Sequence, residues 1–210
     1  MTVLQFAGFR ENAVQINGTE YLSNALRGDP ESFSQLVESY QTAVYNLCYR
    51  MLGDPYEAED AAQETFLRAY KSLRHYDKKR SFSTWLLSIA AHHCIDQLRR
   101  RRMTMVPLEN LPYQELRDPT PNPEVTLSIS EEQQRVRKLL TSLNPTDRAA
   151  VVMYYWYDFS YNEIADSLQI TLSAVKSRLH RARKELAQLW MEQHSQYSQA
   201  ERIRHESPAV

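Results

Sequence analysis

The segment SYNEIADSLQITLSAVKSRLHRARKEL, residues 160–186, sorts its side chains by helical phase into an apolar set and a basic set. Ile164, Ala165, Leu168 and Ile170 fall inward, followed by Val175, Leu179, Ala182 and Leu186 at intervals of three and four. The opposite face of the last helix offers Ser173, Lys176, Ser177, His180, Arg181 and Lys184. Between residues 171 and 184 there are five Lys+Arg and no acid, enough to meet several phosphates and leave other side chains for base edges. A capped short helix, a tight turn at Gln169 to Thr171 and a longer basic helix are what docking in a DNA major groove requires. A solvated basic face on an ordinary helix needs neither the cap nor the turn.

Other reactive side chains lead to weaker chemistry. Arg99-Arg100-Arg101-Arg102 ends an apolar helix, where the helix dipole favours cations, but four in succession exceed that need and point to an anionic partner. Glu57, Asp60 and Glu64 lack a His or further acid to complete a metal shell. His92, His93 and Cys94 are adjacent in a helix and point in different directions, so they do not form a zinc site. Cys48 and Cys94 each lie in an apolar helical stretch, which fits packing in a reducing compartment better than a disulfide. The last of the four glycines is Gly53, so no Walker or Rossmann phosphate loop follows it. No metal, no cofactor and no catalytic residue are expected.

The elements that position these groups are legible from their starts. Asp29-Pro30, Asp54-Pro55 and Asn144-Pro145 each supply an N-cap acceptor and a preset first helical residue. Ser130 with Gln133 and Ser160 with Glu163 have capping-box spacing. The helix from Pro30 places Phe33, Leu36, Val37, Tyr40, Val44, Leu47 and Met51 on one stripe. The next buries Ala62, Phe66, Ala69, Tyr70 and Leu73 and turns Asp60, Gln63, Glu64, Arg68 and Lys71 outward. A third, from near Ser83, is apolar almost all round through Leu98. Four more helices start near 131, 145, 161 and 172.

With 210 residues, 25 Lys+Arg against 26 Asp+Glu and no period-two segments, the chain reads as all-α. Five of nine prolines fall between residues 107 and 123 and mark a flexible Pro-rich linker between two small helical domains. The expected division is a mobile N-terminus over 1–18, a first domain over 19–102, a linker over 103–129, a second domain with the helix-turn-helix over 130–190, and a mobile polar tail over 191–210. No apolar run reaches membrane-spanning length and no signal-peptide pattern opens the chain, so a cytoplasmic location without membrane insertion is expected.

Three stretches, AEDAAQETFLRAYKSL (58–73), FSTWLLSIAAHHCIDQLRRR (82–101) and the helix-turn-helix, resemble in order the extracytoplasmic-function sigma factors, specificity subunits of bacterial RNA polymerase. The resemblance spans roughly residues 20–190. It implies that Asp60, Gln63 and Glu64 dock on core RNA polymerase, and that promoter DNA is read at two places. At the minus-ten element it implies Tyr76, Lys79, Arg80, His92, Arg99 and Arg100. Residues 74–83 (RHYDKKRSFS), with Tyr76 and Phe82, have a composition that could hold an unstacked base. Trp85 is expected to anchor its helix in the core, and His92 stands where relatives commonly carry Asn. At the minus-thirty-five element the resemblance implies Lys176, Ser177, His180, Arg181 and Lys184. Lys176 occupies a place often held by Arg and lacks the bidentate fork suited to guanine. An anti-sigma factor is an implied further partner.

Residues 103–129 could extend about 90 Å, and promoter elements roughly 25 base pairs apart lie about 85 Å from one another. The linker can therefore join both sites, and its acidic character between Pro107 and Val125 suits the path of the transcript, along which the resemblance places it. Near-neutral total charge gives the free protein no broad field for DNA, so tight promoter recognition should wait for polymerase. A one-component regulator would explain the helix-turn-helix but not the docking helix or the melting loop. A nucleotide hydrolase built on the acids from Asp54 to Glu64 leaves the basic helix unexplained.

Overall fold

The computed structural model describes residues 18–104 and 131–206, with side chains over 20–103 and 134–191. The expected N-terminal segment up to residue 17 and the linker from 105 to 130 lie outside the described residues, as does Ser130 of one anticipated cap. The described residues form α1 (Gly18–Leu26), α2 (Pro30–Leu52), α3 (Pro55–Ser72), a 3-10 turn (Leu73–His75), α4 (Phe82–Thr104), α5 (Glu131–Ser142), α6 (Pro145–Trp156), α7 (Tyr161–Leu168) and α8 (Leu172–Glu206). There is no strand among them, and the all-α class holds.

Several of the helix starts follow from a local cap. Asp29 accepts from the Ser32 amide at 3.2 Å, and Asp54 from the Glu57 amide at 3.0 Å. Asn144 accepts from the Asp147 amide at 3.0 Å. Such caps contribute about 0.5–2 kcal/mol each, because they satisfy amides that the helix itself leaves without acceptors. Gly53 closes α2 at φ 80°, a left-handed conformation that glycine adopts without a Cβ clash.

The first lobe packs Leu36, Val44, Leu47 and Met51 of α2 against Ala58, Ala61 and Ala69 of α3 and Leu86, Ala90 and Ala91 of α4. Alanines on α3 let the helix axes approach closely while α2 supplies the bulk. Tyr70 corrects the sequence reading: Ala69 takes the inward position beside it, and Tyr70 is 53% exposed, its ring edge-on to Phe33 at 4.9 Å.

A helix apolar almost all round must be covered all round. For α4 the first lobe supplies α2 and α3, and the second lobe supplies α6 and α7. The two small helical domains expected from the sequence therefore pack against each other, and their buried apolar residues form one continuous core from Ala25 to Leu186. The backbone of α8 runs as helix from Leu172 to Glu206, past the domain boundary expected at residue 190. Among the described residues no helix is long and apolar enough to cross a membrane.

Candidate nucleic-acid interface

The second lobe assembles its candidate reading surface on α8, held by α6 and α7. Ser160 caps α7 by accepting from the Glu163 amide at 3.2 Å, and the Glu163 carboxylate accepts the Ser160 amide at 2.8 Å, closing the capping box. Gln169 then turns the chain at φ 54°, where the Ile170 amide reaches the Ala165 carbonyl at 3.0 Å. Thr171 starts α8 by accepting from the Ala174 amide at 3.2 Å. The turn is thus three residues long, with Val175, Leu179, Ala182 and Leu186 buried beneath it as their spacing required.

Lys176, Ser177, His180, Arg181 and Lys184 are all exposed along one side of α8. The five cations of this stretch divide into two groups. Arg178 turns inward and pairs with the buried Asp147 carboxylate at 2.6 Å. Arg183 donates to the Tyr155 hydroxyl at 3.0 Å and to the Tyr161 hydroxyl at 3.2 Å, which holds the Tyr161 phenol below its ordinary pKa. These two arginines tie α8 to α6 and α7, which leaves Lys176, Arg181 and Lys184 as the cations of the outward stripe. A pairing of Arg178 with an acid 31 residues earlier is a tertiary fact that helical phase does not encode.

The first lobe presents a different kind of surface. Tyr76 is only 9% exposed: its hydroxyl donates to the Arg80 carbonyl, and its ring lies 5.8 Å from Phe82 and 5.2 Å from Trp85. Tyr40 approaches Phe82 at 5.3 Å from α2, so the aromatic residues of the 74–83 loop belong to the hydrophobic core. This corrects the picture of Tyr76 and Phe82 as side chains ready to stack on a base. Their apolar rings find more area to bury against α2 and α4 than a polar loop would leave them. Trp85 is half-buried in the same cluster, in the anchoring position expected of it. Lys79 remains exposed, and Arg80 is partly buried.

Along α4, the His92 Nδ1 lies 2.9 Å from the Ser88 carbonyl, a geometry that suits a proton on Nδ1 and leaves Nε2 as the outward acceptor. Arg100 is exposed, whereas the Arg99 guanidinium lies 3.5 Å from the Thr146 hydroxyl of α6. Arg101 pairs with Glu57 of α3, so part of the arginine run ties the first lobe together. Cys48 and Cys94 are free and fully buried, and the neighbouring Cys48 thiol and burial push the Cys94 thiol up, so it stays protonated.

On α3, Asp60 and Gln63 are exposed, while Glu64 accepts from Arg68 at 2.6 Å. The same face carries exposed apolar groups that the sequence reading missed, Tyr56, Leu67 and Tyr70. Tyr56 lies four residues from Asp60, Leu67 four from Gln63 and Tyr70 three beyond Leu67, a helical spacing that was the available signal.

Comparison with known proteins follows this geometry. The Sigma-70 region 2 family model matches residues 36–104, and the Sigma-70 region 4 model matches residues 133–186. The ECF RNA polymerase sigma factor SigW of Bacillus subtilis is 35% identical over 167 residues, covering 76% of this chain and 89% of that protein. The structure of CnrH in complex with the cytosolic domain of CnrY shares the fold at TM-score 0.61 and 24% identity, covering 82% of this chain and 96% of that one. The sigma factor RpoE in complex with the anti-sigma factor NepR from Bartonella quintana shares it at TM-score 0.59 and 22% identity, covering 77% and 98%. With both regions present in chain order and a relative of this similarity matched over nearly its whole length, the chain belongs to the ECF RNA polymerase sigma factors of the sigma-70 family.

Proposed function

We propose that the chain binds core RNA polymerase through the outward face of α3, reads a minus-thirty-five element with α8 and a minus-ten element with α4 and its preceding loop, and promotes strand opening. The observation that carries this reading is the outward stripe of α8, whose three cations stand on a helix clamped by Arg178 and Arg183. Clamping matters because base-edge contacts demand a fixed side-chain origin, whereas phosphate contacts tolerate movement. Asp60, Gln63 and Glu64 supply the polar part of the polymerase contact, with Leu67 and Tyr70 as its apolar members.

Lys79, Arg80, His92, Arg99 and Arg100 are assigned to the minus-ten side, with Tyr76 as the support of the loop. Opening the duplex needs no bond-making residue in this chain: binding favours the separated strand, and nucleotide chemistry belongs to the polymerase. The protein works where polymerase works, inside the cell. By likeness to the RpoE–NepR complex, an anti-sigma factor is its expected antagonist. The one-component regulator has no support from the two family regions.

Transcription reconstituted with core polymerase on a library of genomic fragments tests the proposal. Discrete initiation sites with a shared motif near minus thirty-five are the expected result, and initiation no different from core polymerase alone would refute it.

A further inference from the structure

The junction between the lobes is built from specific polar contacts as well as apolar ones. Arg148 of α6 is 5% exposed, and its guanidinium donates to the Met51 carbonyl at the end of α2, and to the Thr141 and Leu143 carbonyls at the end of α5. Burial lowers its pKa to about 10, which still leaves it charged at neutral pH. No carboxylate balances it in these contacts; the carbonyl oxygens at two helix C-termini do, where the helix dipole favours a cation.

Arg137 of α5 adds donations to the Tyr49 hydroxyl at 3.2 Å and the Gly53 carbonyl at 3.3 Å. The Tyr157 hydroxyl donates to the Ala43 carbonyl at 2.7 Å, and Arg50 lies over the Trp156 ring at 5.3 Å. At the other end of the junction, Thr84 of α4 meets Glu163 of α7 at 3.4 Å.

This arrangement cannot persist on a promoter. If α4 and α8 read elements about 85 Å apart, α7 cannot at the same time touch α4. The closed form also divides the working surfaces unequally: α6 and α7 lie against α4, whereas Asp60, Gln63 and Leu67 on α3 face away from the second lobe and stay exposed.

Resting on the function proposed above, we propose that the free protein is held shut by an arginine latch, in which Arg137 and Arg148 of the second lobe cap the C-terminal end of α2. The shut form sets α6 and α7 against α4, with Thr146 beside Arg99, while Lys79, Arg100 and the polymerase-docking face stay exposed. Polymerase therefore docks first, on α3, and opening of the lobes follows. A closed population lowers the apparent affinity for any partner that requires the open form by the fraction that is open, so loosening the latch must tighten that partner.

The experiment uses the full chain with dyes on Thr42→Cys and Glu185→Cys, two exposed positions in different lobes, the native cysteines being buried. Energy transfer should be high in the free protein and should fall when core RNA polymerase is added. Arg148 also joins α5 to α6, so its removal could unfold the lobe; Arg137→Ala combined with Tyr157→Phe leaves those contacts in place. This pair should shift the free protein toward low transfer and raise affinity for core polymerase about fivefold or more. Low transfer in the free wild type, or a double variant that matches wild type in both transfer and affinity, overturns the latch. A wild type that binds core polymerase and directs initiation while open when free would sink only the latch, whereas failure to bind core polymerase at all would sink the function and the latch together.

Discussion

The two regions proposed to read the promoter are built on opposite plans. On α8 the outward residues Lys176, Ser177, His180, Arg181 and Lys184 stand free of the core while Arg178 and Arg183 fix the helix from behind. Around the 74–83 loop the aromatic groups suited to a separated base, Tyr76 and Phe82, are themselves part of the core. A surface that reads intact duplex can be finished before DNA arrives, since the duplex changes little. A surface for an opened strand must meet a shape that exists only after melting, and here Tyr76 and Phe82 support it from inside the core, which leaves any contact to the polar side chains around them.

This contrast can be broken most forcefully at Tyr76. Tyr76→Ala should lower the free energy of unfolding by about 3 kcal/mol, read by thermal or urea denaturation, because it empties an aromatic site in the core. Tyr76→Phe should lose only the hydroxyl bond to Arg80, about 1 kcal/mol. If Tyr76→Ala melted like wild type, the ring would have to lie outside the core, and the two surfaces would be of one kind.

Arg181→Ala probes the other plan. It should cost about 1–3 kcal/mol in promoter binding by holoenzyme while leaving the melting temperature within a degree or two. Footprinting combined with calorimetry reads both quantities. Loss of stability in proportion to loss of binding would mean that the stripe is structural after all.

The smallest effect concerns His93, half-buried on α4. Burial and the nearby Arg68 hold its pKa below the ordinary imidazole value, against the opposing pull of Glu64 and Asp96. Between that lowered value and about 6.5 the unfolded chain binds more protons than the folded one, so stability falls as pH falls through this window. His93→Gln should flatten the decline below about pH 6.5, as measured by urea midpoints. An unchanged slope would place the pH sensitivity elsewhere.

The starts of α2, α3, α6 and α7 were legible because each is set by one side chain and one nearby amide. The outward stripe of α8 was legible because helical phase decides it. Tyr70 was misjudged because phase alone cannot separate the centre of a buried stripe from its edge when an alanine sits beside it. The enclosure of Tyr76 and Phe82 depended on Tyr40, some forty residues earlier, and the inward turn of Arg178 on Asp147. The joining of the lobes was hinted at only by the all-round apolar character of α4, which has more sides than one small lobe can cover.

The caps at Asp29, Asp54, Asn144 and Ser160 have a bearing on how the chain reaches this form. Each tells a segment where to begin coiling from information held within four residues, before any distant contact exists. Assembly is a different matter, since the contacts that join the lobes, such as Arg148 with Met51, must be found across 97 residues of chain. The beginnings of these helices are thus spelled out in the chain's own letters, while the way they come together is not.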